Sequence, residues 1–91
     1  MKLKVRFFAT FREVFRTREM DAALTEGATV RDLLEKICAT PAQRGQVFEG
    51  GELKPYIIVL KNGRHIQHLD GLATRLEDGD VVSVFPPLAG G

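Results

Sequence analysis

By type and spacing, the residues of this chain that could do chemistry are its last two, Gly90 and Gly91. A glycine pair has no Cβ atoms, so it can thread a channel too narrow for any side chain. It also bends through φ/ψ regions closed to other residues. Such an end suits a terminus whose own carboxylate is the reacting group. That carboxylate, with a reference pKa of ~3.3–3.7, is ionised at neutral pH and needs activation before any acyl chemistry. Taken alone, a bare Gly-Gly reads more readily as a frayed chain end. The elements that lead up to it decide the matter.

The glycines follow Phe85-Pro86-Pro87-Leu88-Ala89. Neither proline can donate a ladder hydrogen bond, and each fixes φ near −65°, so a strand running through Val84 should stop at Phe85. At ~3.3 Å per residue, the chain beyond Phe85 could reach on the order of 20 Å from its last sheet contact. The chain thus divides into a domain over 1–85 and an exposed, flexible tail over 86–91. Phe85, Pro86, Pro87 and Leu88, with Ala89, form a candidate docking patch for a partner that takes the tail. Strand termination and local packing account equally well for Phe85 itself.

Other chemistry is scarce. There is no Ser-His-Asp arrangement, no carboxylate cluster, no phosphate-binding glycine loop and no metal-ligand spacing. His65 and His68 lie three apart in or after a hairpin arm with no third ligand, so no metal site is expected. Cys38, the single cysteine, falls on the apolar stripe of a helix and reads as a small buried hydrophobe. Arg64, with Lys61, lines a solvated strand edge. With 13 basic and 12 acidic residues the net charge is +1, which leaves no electrostatic footprint for nucleic acid or an anionic membrane. Ninety-one residues make one domain with one modest core. The N-terminus enters a strand directly, with no signal-peptide core and no membrane-length apolar run, so a cytoplasmic protein is expected.

The elements that must position the tail are legible from periodicity. Leu3, Val5 and Phe7 alternate with Lys2, Lys4 and Arg6, the period of a half-buried strand. Phe8 and Ala9 break the alternation. Thr10 to Phe15 allows about one helical turn with Phe11, Val14 and Phe15 on one face. A weak edge strand runs from about Thr17 to Leu24. Thr29 and Asp32 make a capping-box start for a helix whose stripe is Val30, Leu33, Leu34, Ile37 and Cys38, with Pro41 ending it. Residues 41–55 read as a connecting segment anchored by Val47 and Phe48. Tyr56 to Lys61 is a buried strand, Asn62-Gly63 a hairpin turn, and Arg64 to Ile66 the return arm. Leu69, Leu72 and Leu76 are anchors in an irregular stretch. Asp78-Gly79-Asp80 turns the chain into the last strand, Val81 to Phe85. Strands flanking one main helix predict a two-layer α+β domain, with the first and last strands central.

Three stretches give this chain a resemblance to a known family: Lys4-Val5-Arg6-Phe7-Phe8-Ala9 with Arg12-Glu13, Asp78-Gly79-Asp80 through Pro87, and Leu88-Ala89-Gly90-Gly91. Together they resemble the small sulfur carriers of the ubiquitin-like β-grasp superfamily, the MoaD/ThiS type. The small subunit of molybdopterin synthase is the nearest in kind. The resemblance implies a mixed four- to five-stranded sheet packed on one main helix. It also implies that Gly91, with Gly90 before it, is adenylated with ATP by a ubiquitin-activating-enzyme-like adenylyltransferase. Sulfur derived from a persulfide, supplied by a sulfurtransferase, then leaves a C-terminal thiocarboxylate. The thiocarboxylate gives its sulfur to a pterin precursor in the synthase large subunit, for molybdenum or tungsten cofactor. On this reading the chain binds no cofactor and is a cosubstrate without catalytic side chains. The same terminus also fits a protein modifier conjugated through Gly91 to lysines, or a carrier for thiamine, cysteine or transfer-RNA thiolation. Phe15-Arg16 stands where many relatives have glycine, which predicts a different turn there.

Overall fold

The structure is a computed structural model that describes residues 1–87. Strand β1 (Lys2–Phe7) follows its alternation: Leu3, Val5 and Phe7 are buried, while Lys2 and Arg6 are exposed. Helix α1 (Phe11–Val14) is a single turn that buries Phe11, and Phe15 just beyond it is also buried. The turn closes as a glycine-ended helix would. Phe15 N–H donates to Phe11 O and Thr17 N–H to Arg12 O, at 3.0 and 3.1 Å, with Arg16 in the left-handed region at φ +60°. The expected departure at Phe15-Arg16 is therefore not seen: arginine takes the conformation that glycine favours. Strand β2 (Glu19–Ala23) then pairs antiparallel with β1, placing Met20 opposite Val5 and Asp21 opposite Lys4.

Helix α2 (Val30–Ile37) begins at a complete capping box, as its sequence predicts. Asp32 N–H donates to Thr29 Oγ1, and Thr29 N–H donates to Asp32 Oδ2 at 2.9 Å. Reciprocal caps of this kind contribute ~1 kcal/mol. Val30, Leu33, Leu34 and Ile37 are all buried in the same core as β1.

Pro41 does not end α2. Cys38 caps that helix, and Pro41 instead opens a second one, α3 (Pro41–Val47). Thr40 is its N-cap, its Oγ1 accepting from Gln43 N–H at 3.1 Å. Proline suits the first helical position because its missing N–H has no intrahelical partner there. The expected connecting segment is thus ordered: α3 runs into a small hairpin of β3 (Phe48–Glu49) and β4 (Glu52–Leu53). Gly50 and Gly51 turn it with φ of +59° and +82°. Val47 and Phe48 are the anchors, both buried. The Arg44 guanidinium lies 4.9 Å from the Phe48 ring centroid and 2.9 Å from Glu35 Oε1, tying α3 to α2.

Strand β5 (Ile58–Lys61) starts later than its composition suggests, because Tyr56 lies in a turn. It alternates, with Val59 buried and Ile58 exposed, so the run is half-buried and not buried throughout. Asn62-Gly63 turns β5 into β6 (Arg64–His65), after which Ile66 enters a 3-10 turn and is buried. The last strand, β7 (Val81–Phe85), completes a five-stranded mixed sheet in the order β2-β1-β7-β5-β6. Only β1 and β7 are parallel; every other pairing is antiparallel. The last strand is the middle one, and β1 lies beside it. Among the described residues, no helix is long and apolar enough to cross a membrane.

Candidate functional site

The tail leaves from β7, so the site begins with what holds β7 in place. At its start, Asp78-Gly79-Asp80 is tied to both neighbours. Lys2 N–H donates to Asp78 Oδ1 at 2.6 Å, Gly79 N–H to Lys2 O at 2.7 Å and Lys4 N–H to Asp80 O at 3.0 Å. On the other side, Asn62 of the hairpin turn accepts from Val81 N–H at 2.9 Å and donates from Nδ2 to Asp80 Oδ1 at 2.8 Å. Asp80 Oδ2 accepts from Glu77 N–H at 2.8 Å and lies 3.6 Å from Lys61 Nζ. Asp80 is the one acidic side chain among the described residues that is buried. Its side chain is spoken for on both oxygens.

Replacing Asp80 with alanine removes the acceptors of the Asn62 amide and the Glu77 N–H in a part-buried site. The expected loss is ~1–3 kcal/mol of stability. Urea denaturation should show it as a lower midpoint at unchanged slope.

At the other end, β1 and β7 finish side by side because they are parallel. Phe8, just past β1, stacks on Phe85 with centroids 4.2 Å apart and planes 14° apart. The Arg12 guanidinium lies over Phe8 at 5.4 Å, held there by a 3.0 Å hydrogen bond from Nε to Phe7 O. Ile58 pairs with Phe85 across the ladder and is 41% exposed. Arg12, Phe8, Phe85 and Ile58 therefore form one solvent-facing strip where the sheet ends. Pro86 and Pro87 follow outside the ladder, half-buried and exposed respectively. Leu88, Ala89, Gly90 and Gly91 lie outside the described residues.

Of the expected patch, the structure thus places Phe85, Pro86 and Pro87 together at the tail's root. Sequence reasoning missed Phe8, Arg12 and Ile58. The signal for Phe8 was the break in alternation after Phe7, which puts two consecutive aromatics on opposite faces. Tyr56, near the same end of the sheet, is 85% exposed and holds φ at +68°. Left-handed backbone costs a residue bearing a side chain about 1–2 kcal/mol.

Elsewhere the chemistry is quiet. Burial, with the nearby Glu35 carboxylate adding to it and Arg44 opposing it, pushes the Cys38 thiol up to about 11. At neutral pH it is a protonated thiol and a weak nucleophile. The His65 and His68 rings meet edge to face at 5.9 Å, and His65 Nδ1 accepts from Gln67 N–H. Among the described residues, no group of three His, Cys, Asp or Glu side chains is placed to hold a metal ion.

Comparison with known proteins agrees with this architecture. Residues 5–91 match the ThiS family. The chain is 52% identical to small archaeal modifier protein 3 of Haloferax volcanii and 36% identical to the molybdopterin synthase sulfur carrier subunit of Chlamydomonas reinhardtii, over the full length of both chains in each case. The crystal structure of SAMP1 from Haloferax volcanii superposes with a TM-score of 0.87 at 33% identity, covering all of both chains. This chain and SAMP1 share one fold, and in this chain the last strand lies in the middle of the sheet. The chain belongs to the ThiS family of ubiquitin-like β-grasp proteins.

Proposed function

We propose that this protein is a carrier whose reacting group is the Gly91 carboxylate. The observation that supports it is the placement of the tail's root on the middle strand of a rigid sheet, beside an apolar strip. The domain then acts as a handle. The Phe85-Pro86-Pro87 end and the strip dock on an adenylyltransferase of the ubiquitin-activating kind, and Gly90-Gly91 enters its active site. There the carboxylate attacks the α-phosphorus of ATP and pyrophosphate leaves. The resulting acyl-adenylate gives the Gly91 carbonyl a good leaving group.

In the leading reading, the outer sulfur of a persulfide displaces AMP to give an acyl disulfide, and a second thiol cleaves its S–S bond, leaving as a disulfide while Gly91 becomes a thiocarboxylate. The charged chain then docks on a molybdopterin synthase large subunit and donates sulfur to a pterin precursor. The 36% identity to a molybdopterin synthase sulfur carrier subunit supports this fate. A second reading has its own support in the 52% identity to a modifier protein: a lysine amine displaces AMP, directly or through a carrier thiol, and forms an isopeptide bond. Activation is common to both; the nucleophile differs.

The test is pyrophosphate exchange into ATP by the activating enzyme from the same cell, with and without this chain. Exchange that depends on the chain is expected. Exchange of equal rate without it would overturn the proposal. Blotting a lysate for the chain then separates the fates, since ladders of modified protein require lysine conjugation.

A further inference from the structure

Tyr56 carries two burdens that the isolated domain does not repay. It is an aromatic side chain 85% exposed to water, and its backbone holds φ +68°, a region that favours glycine or asparagine. Nothing in the fold requires a side chain there. The residue sits in the turn after Pro55, two positions before Ile58, at the same end of the sheet as Phe85. An outlier held at a cost without an internal use points outward, to a function.

We infer that Tyr56 is an anchor for the activating enzyme, inserted into a pocket on that enzyme when the tail enters its active site. The inference rests on the function proposed above and adds to it the residue that fixes how the domain sits. Tyrosine suits the role. It brings large apolar area at a small rotamer cost, and it is enriched among the few residues that dominate interface energetics. The strip beside it sets the chemistry of the partner. Phe8, Phe85 and Ile58 suit an apolar surface, and Arg12, which has no carboxylate partner among the described residues, adds a positive charge that an acidic group would complement. Lys4 and Arg6 are already matched, because both lie within 3.5 Å of Glu19. The activating enzyme is the occupant because every fate of the tail passes through it first.

The experiment is titration calorimetry of the full chain against the activating enzyme, with Tyr56→Gly and Tyr56→Phe beside the unaltered protein. Glycine relaxes the strained backbone, so Tyr56→Gly should fold with an equal or higher thermal midpoint while affinity falls at least ~10-fold. Tyr56→Phe keeps the ring and should fall by only a few-fold. Equal affinity for Tyr56→Gly and the unaltered chain would overturn the anchor while leaving the carrier function intact, since pyrophosphate exchange would persist. An unaltered chain that neither binds the enzyme nor supports exchange would instead remove the function itself. A dimer of the chain, seen by sedimentation and lost in Tyr56→Gly, would show the site to be occupied by a second copy and would also overturn the inference.

Discussion

Deleting Gly91 is expected to abolish activation of the chain and to leave its fold intact. The truncated chain still ends in a glycine carboxylate, so the chemical group is preserved and only its position changes. It falls short by one residue, ~3.3–3.6 Å. In a site that must bring a carboxylate oxygen into line with the α-phosphorus of ATP, an error of ~1 Å can already cost ~100-fold. Pyrophosphate exchange should therefore fall below detection. Stability should change by less than ~0.5 kcal/mol, the range of a change remote from the core. The core of the described residues lies between Leu3 and Val84, and the β7 ladder ends at Phe85. Calorimetric melting and the exchange assay on the same preparation check both halves. Retained exchange would mean that activation does not require the carboxylate at the position of Gly91.

The second large effect separates two neighbours. Phe7 is fully buried and stacks on Phe15 with centroids 4.4 Å apart and planes 7° apart. Phe7→Ala removes a ring from the core of the described residues and should cost ~3–5 kcal/mol. Against the ~5–15 kcal/mol that stabilises a typical domain, this is a large share. At ~4–8 °C per kcal/mol for a domain of this size, the melting point should fall by tens of degrees. Phe8 points to the opposite face, where its ring lies between Phe85 and the Arg12 guanidinium at the surface. Phe8→Ala should cost only ~1 kcal/mol, the scale of an aromatic pair at a surface. Its main effect should be on affinity for the activating enzyme. Thermal melts of the two variants decide it: similar losses would mean that the Phe8 ring belongs to the core and not to a docking strip.

This pair also shows where the sequence was readable. Strict alternation over Lys2–Phe7 identified the buried face of β1, because a strand with one dry face must place its apolar residues at every second position. The Thr29–Asp32 capping box, the Val30–Ile37 stripe, the Asn62-Gly63 turn and the Asp78-Gly79-Asp80 entry to β7 were equally plain, since each is a local device with its own chemistry. Residues 41–55 were opaque for the opposite reason. Of α3 only Val47 is buried, and Gly45 lies inside it, so no apolar stripe marks the helix. Its signal was the cap, Thr40 before Pro41, where the same proline could be taken for a stop. Tyr56 opens a continuous β-branched and aliphatic run that reads as strand, yet its φ of +68° places it in a turn. The stacking of Phe8 on Phe85 is a contact across 77 residues of sequence, invisible to any local pattern.

The role of Asp80 lay between these cases. Its place in the turn and its bond to Glu77 N–H are local, but its service to Asn62 depends on the register of β5 against β7. That register brings the hairpin turn beside the entry to the last strand. Local chemistry named the turn; long-range pairing gave it a partner.

The most direct test of the carrier chemistry is intact-protein mass spectrometry after incubation with ATP, the activating enzyme, a persulfide sulfur source and a thiol reductant. The account predicts a mass gain equal to the replacement of one oxygen by sulfur, absent when Gly91 is deleted. An unchanged mass, with pyrophosphate exchange running in the same mixture, would contradict the sulfur-carrier reading and leave conjugation to lysine as the fate of Gly91.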